Sequence, residues 1–124
     1  MVNRVSVLFD TNILIDYLNG VEPAKTELDS RVDKAISLIT WMEVMVGATP
    51  ETEAVMRHFL SSFINLPIDE KVSDLAVVLR KKHKIKLPDA IVWATAQVNK
   101  RILVTRNTKD FSDNEPGVYV PYKI

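Results

Sequence analysis

Apolar and polar positions alternate along this chain in two rhythms. Val5-Ser6-Val7-Leu8-Phe9 is a short β-branched and apolar run closed by Asp10-Thr11-Asn12, the pattern of a buried strand. Ile13, Leu14, Tyr17 and Leu18 then recur at helical spacing until Asn19-Gly20 stops them. Pro23 opens a second short helix running to about Val32, and Ala35–Ile39 reads as a second strand followed by a helix from Thr40. Another helix is predicted over Glu51–Ser62, leading into a short strand at Ile64–Leu66. Asp69 is placed to cap a helix that carries Val72, Leu75, Ala76 and Leu79 on one face. Pro88 stands at a first helical position ahead of Ala90, Ile91, Trp93, Ala94 and Val98. Ile102–Thr105 is a clear late strand and Val118–Val120 a weak last one. Strands and helices alternate with no hairpin signal between the main strands. That order predicts an α/β fold, a single domain over residues 1–124, with a central parallel sheet between two helical layers.

Composition narrows the picture. With 124 residues, 47% hydrophobic and 26% charged, the chain has the make-up of one globular domain and not of a disordered segment. No apolar run approaches the length of a membrane span. The opening Met1–Phe9 offers no small-residue cleavage site, so a cytoplasmic location without membrane association is expected. The absence of cysteine excludes disulfides, Cys-bound zinc, iron–sulfur clusters and a thiol nucleophile. The net charge of zero hides an asymmetry. Residues 80–109 hold nine basic residues and one acid, Asp89, for a charge of +8 against −8 elsewhere. Such a segment is either a solvated helix end with a loop or an attractor for a polyanion such as nucleic acid, whose binding would then weaken steeply with salt.

Four acids fall at strand ends or helix starts: Asp10, Glu43, Asp89 and Asp110. Each alone has a structural use. Asp10 is placed to cap a helix, Thr40-Trp41-Met42-Glu43 fits a capping box, Asp89 suits a first helical turn, and Asn107–Asp110 begins another short helix. Together they mean more, because in an open parallel sheet the strand C-termini share one edge, where ligands bind. Four carboxylates there repel one another unless a cation neutralises them. Oxygen donors without a Cys or His cluster suit a hard divalent ion, Mg2+ or Mn2+. Such a centre polarises a phosphate oxygen and activates water for in-line displacement.

The stretches that carry these acids resemble the motifs of PIN-domain nucleases. Leu8-Phe9-Asp10-Thr11-Asn12-Ile13-Leu14-Ile15-Asp16 is similar to the opening motif, and Ile39-Thr40-Trp41-Met42-Glu43 to the second. Leu87-Pro88-Asp89-Ala90-Ile91-Val92-Trp93-Ala94-Thr95-Ala96 resembles the third, and Leu103–Phe111 the last. The short length most resembles VapC-type ribonuclease toxins. This resemblance implies an α/β/α sandwich and a Mg2+-dependent endoribonuclease. Asp10, Glu43 and Asp89 carry over as its acidic triad, with Asp10 and Asp89 holding metal, and Asp110 as the fourth acid. Thr11 and Asn12 carry over as polar neighbours that order the first acid's loop. Asn107 is left two roles, a ligand through its amide oxygen or a cap on the turn. Arg106 is likewise left open between a phosphate contact and an internal ion pair. The resemblance further implies RNA as substrate, a cognate antitoxin lying over the active-site edge, and a homodimer. Ile13, Leu14, Tyr17 and Leu18 with Val44, Met45 and Val46 are candidates for the antitoxin's groove or for core.

Other candidates read as ordinary structure. His58 and His83 lack metal-pair spacing, Trp41 and Trp93 lie on apolar helix faces, and Asp16 is expected to face solvent. Lys81, Lys82, Lys84 and Lys86 are phosphate contacts only if the chain binds RNA. An aspartyl-phosphate phosphatase would need a second Asp where Asn12 stands. No glycine-rich phosphate loop or serine triad is present. The competing reading from a different class is a PIN-like module that binds RNA or protein without cutting.

Overall fold

The structure, a computed structural model, describes residues 4–123. Five parallel strands form one sheet: β1 (Val7–Phe9), β2 (Lys34–Ser37), β3 (Ile64–Leu66), β4 (Ile102–Val104) and β5 (Val118–Tyr119), in the order β3-β2-β1-β4-β5. Among the described residues, six helices cover it: α1 (Thr11–Leu18), α2 (Glu22–Asp29), α3 (Leu38–Val46), α4 (Glu53–Leu60), α5 (Glu70–His83) and α6 (Leu87–Val98). The chain starts at β1, steps outward through β2 and β3, then returns to lay β4 on the other side of β1. β1 and β4 therefore flank the switch point where a parallel sheet opens a crevice at its carboxyl edge.

The strand pleat divides the core in two. Leu8 and Leu103 point to a cluster built with Val72, Ala76 and Leu79 of α5 and Val92 and Trp93 of α6. Val7, Phe9 and Val104 point the other way, to Ile13 and Leu14 of α1, Leu28 of α2, Val44 of α3 and Leu60 of α4. Successive residues of β1 are thus buried on opposite faces, which explains its unbroken apolar run. Among the described residues, no helix is long and apolar enough to cross a membrane.

Several boundaries depart from the sequence pattern: the first strand starts at Val7 rather than Val5, the second helix ends at Asp29 rather than near Val32, and the fourth spans Glu53–Leu60 within the expected Glu51–Ser62. The second strand stops at Ser37 and the helix starts at Leu38, two residues before Thr40, because the Ser37 hydroxyl accepts the Ile39 N–H and caps the helix itself. The capping box at Thr40 and Glu43 therefore does not form, and both side chains are used elsewhere. Pro88 is the second residue of α6, and residues 107–110 make a single turn closed by Phe111 N–H to Asn107 O rather than a helix. Ile13, Leu14 and Val44 are core and unavailable to a partner. Val46, 86% exposed, is the outermost of that group.

Candidate active site

Asp10 ends the run of β1, and its N–H donates to Val104 O of β4 at 2.9 Å, which ties the two sides of the switch point. It is the N-cap of α1, and only 4% exposed. Its Oδ1 accepts the Thr11 N–H at 2.8 Å. Its Oδ2 accepts the Thr105 hydroxyl at 2.9 Å and the Asn12 amide at 3.2 Å. Every donor is neutral. Burial therefore dominates and pushes the Asp10 carboxyl up to about 6, despite these bonds, and the nearby Glu43 charge adds to the rise.

Glu43 reaches the edge from α3. The Thr11 hydroxyl donates to its Oε1 at 2.7 Å, and lies 2.9 Å from the hydroxyl of buried Thr40. The two residues expected to cap their own helix instead tie α3 to the start of α1. Asp89, half-buried in the first turn of α6, is also raised to about 6, by burial first and then by the charges of Asp10, Asp110 and Glu43 and a hydrogen bond with Asp110. Three acids from elsewhere in the chain, spread over 100 residues of sequence, thus act on the Asp89 carboxyl.

Asp110 is positioned by Asn107. The Asn107 amide donates to Asp110 Oδ2 at 2.9 Å and its carbonyl oxygen accepts the Asp110 N–H at 3.2 Å. Of its two expected roles, Asn107 fills the turn cap. Arg106 takes the internal alternative: its guanidinium pairs with both oxygens of Asp16, while its N–H donates to Asn12 Oδ1 at 3.3 Å. Asp16 is not at the surface as expected. It is buried between Arg106 and the Tyr122 hydroxyl, which donates at 2.9 Å.

Thr105 did not stand out in the sequence and is central here. Fully buried at the end of β4, it donates to Asp10 and accepts the Asn107 N–H at 3.0 Å. The only sequence signal for it was its place two residues before Asn107 in a strand-end motif.

The donor set is entirely oxygen, which matches a hard divalent cation. Among the described residues, no three acidic or histidine side chains stand close enough to enclose an ion. Mg2+ does not need such a cage, since it binds through one or two carboxylates and keeps several waters. The residues present fit an ion of that kind.

The PIN domain profile matches residues 7–115, across all four acid-bearing stretches. The chain belongs to the PIN-domain family. Among solved structures, this PIN domain is similar to a chain of a toxin–antitoxin complex from Klebsiella pneumoniae, with 51% identity and a TM-score of 0.91 over 96% of this chain and 100% of that one. It is also similar to a chain of FitAcB from Neisseria gonorrhoeae, at 26% identity and a TM-score of 0.75 over 93% and 97% of the two chains. A chain of VapBC2 from Rickettsia felis, bound to a promoter DNA fragment, shares the fold at 22% identity and a TM-score of 0.75 over 93% and 96%. No curated protein matches the sequence closely.

Proposed function

We infer that this PIN domain is an endoribonuclease that cleaves RNA phosphodiesters with Mg2+ or Mn2+, and is the toxin of a toxin–antitoxin pair. The observation that carries the catalytic reading is the pair of carboxyls, Asp10 and Asp89, held near 6 by burial and by neighbouring acids, with no ion pair to either among the described residues. A fold that only needed helix caps gains nothing from that repulsion. The 51% identity to a chain of a toxin–antitoxin complex supports the toxin reading and, with it, an antitoxin partner. A homodimer and a cytoplasmic location belong to the same proposal.

Asp10 and Asp89 would hold the ion, with Glu43 and Asp110 on its waters. When bound, it supplies charge to offset the phosphate and lowers the pKa of the attacking water. The protein's part is orientation. Thr11, Asn12 and Thr105 fix both oxygens of Asp10, Thr11 turns Glu43 inward, and Asn107 holds Asp110 in its turn. Asp10 and Asp89 must both be ionised to bind a cation, so cleavage should rise as pH increases through about 6.

The competing reading is a PIN-like module that binds RNA or protein without cutting it. A labelled RNA incubated with the protein in Mg2+ and in EDTA separates the two. The nuclease reading expects turnover only with the metal, and a loss of about a hundredfold or more in Asp89→Asn. Intact RNA under both conditions would favour the binding module.

A further inference from the structure

Asp110, one of the four acids, also lines a cavity of about 380 Å³ that opens between the end of α5, the flank of α6 and residues 108–115. A second cavity of about 660 Å³ continues from it toward Gln97, Arg101 and Gly117, and the two share His83, Trp93 and Glu115. These volumes lie in the range of ligand-binding clefts. The sequence explains the shared wall. Asp89, Trp93 and Gln97 are spaced four apart on α6, so one face of the helix carries the acidic edge at its first turn and the trough wall along the next two, over about 12 Å.

The lining is not that of an apolar pocket. His83 packs against the Trp93 ring at a tilt of 55°, with centroids 4.7 Å apart, and buried Phe111 meets Trp93 edge-on at 5.4 Å. An aromatic cluster thus supports half-buried His83, which borders both cavities. Lys109 and Lys82 stand on the rim, and no acid among the described residues forms an ion pair with either. Asp113 is offset by Lys123 at 3.8 Å. Glu115 remains as an acceptor facing both cavities.

We propose that this trough seats the single-stranded RNA segment next to the cleaved bond, with a base stacked on His83, its N–H groups facing Glu115, and flanking phosphates at Lys82 and Lys109. The proposal rests on the nuclease reading and adds to it a seat for the strand beside the acids. Three observations select this occupant: continuity with the acidic edge through Asp110, a supported ring of a type that bases stack on, and unpaired cations beside it. An extended acidic peptide would use the cations but has no need of the ring.

The test is fluorescence anisotropy of a single-stranded oligoribonucleotide in EDTA across a salt series, alongside cleavage of the same RNA in Mg2+. His83→Ala is expected to weaken binding about tenfold, while His83→Phe, which keeps a ring on Trp93, stays within about twofold of the wild type. Lys109→Ala, a change at an exposed side chain, is expected to flatten the log–log salt slope by about 1. In Mg2+ the His83→Ala loss should appear in KM more than in kcat. Wild-type affinity in all three variants overturns the proposal and leaves the trough to a protein partner, with the nuclease reading standing if the wild type cleaves. Equal losses in His83→Ala and His83→Phe also overturn it, since a stacking site accepts either aromatic ring. Trough-dependent binding without any metal-dependent cleavage keeps the proposed seat and removes the nuclease reading instead.

Discussion

Asp10 and Asp16 sit at the cap and in the second turn of one helix, α1, and are 4% and 5% exposed. Burial pulls both carboxyls upward, yet Asp10 rises to about 6 while Asp16 ends below the ordinary carboxylate range. Asp10 is the more deeply enclosed of the two, and their partners differ in charge. Asp16 receives a paired guanidinium and a phenol, from Arg106 and Tyr122, and these outweigh its desolvation. Asp10 receives a hydroxyl, an amide and a backbone N–H, all neutral, and has further carboxylates for neighbours. Arg106 has its own N–H bonded to Asn12 beside Asp10, yet its side chain goes to Asp16. One carboxylate is therefore neutralised by the protein and the other is left for something external. That division separates a structural acid from a candidate ligand at similar solvent exposure.

The comparison can be broken from the structural side first. Arg106→Ala leaves Asp16 buried without its cation and should lower stability by about 3 kcal/mol at pH 7, read by urea denaturation. The sign follows from the lowered pKa. Asp16 contributes stability above its unfolded pKa of 3.8, and that contribution disappears as pH falls through the still lower folded value, so the deficit of the variant should shrink in acid. A deficit that grows on acidification contradicts this assignment.

Asp10 has the opposite sign. Its folded pKa of about 6 exceeds the unfolded 3.8, so the penalty is absent at low pH, develops between the two values, and is complete above about 6. The metal-free protein should therefore gain about 2 kcal/mol as pH is lowered from 7 toward 4, with half-exposed Asp89 adding less because solvent screens it. Saturating Mg2+ should flatten that slope by holding both groups ionised. Denaturation midpoints in EDTA and in Mg2+ across this range check both statements. A smaller effect is expected from Tyr122→Phe, which removes one hydrogen bond to Asp16 while the guanidinium remains. It should cost about 1 kcal/mol and leave RNA cleavage unchanged.

Much of this architecture is legible in local sequence. The apolar run of β1, the cap at Asp69, the stop at Asn19-Gly20 and the strand at Ile102 all depend on neighbours a few residues away, and they appear where the pattern places them. Asp69 does accept the Val72 N–H, at 2.9 Å. The boundary at Ser37 was less visible because two capping residues, Ser37 and Thr40, compete within four positions. The structure uses the first and frees Thr40 and Glu43 to join Thr11. Asp16 could not be placed at all from local pattern. Its partners lie 90 and 106 residues away, and nothing about an Asp in the second turn of a helix announces them. The four acids were legible as a set only because a parallel sheet brings its carboxyl ends together, which is a property of topology rather than of any one motif.

The central claim is that Asp89 serves a bound cation and not its helix. It is tested most directly by Asp89→Asn, an almost isosteric change, followed by chemical denaturation in EDTA and in Mg2+ beside a cleavage assay. Relief of repulsion from Asp10, Asp110 and Glu43, partly offset by the lost helix-dipole interaction, should make the metal-free variant equal to the wild type or more stable by about 0.5 kcal/mol. The variant should gain little stability from Mg2+ and should not cleave RNA. If it is instead less stable in EDTA and cleaves like the wild type, Asp89 is a helix-start residue and the account of the site is contradicted.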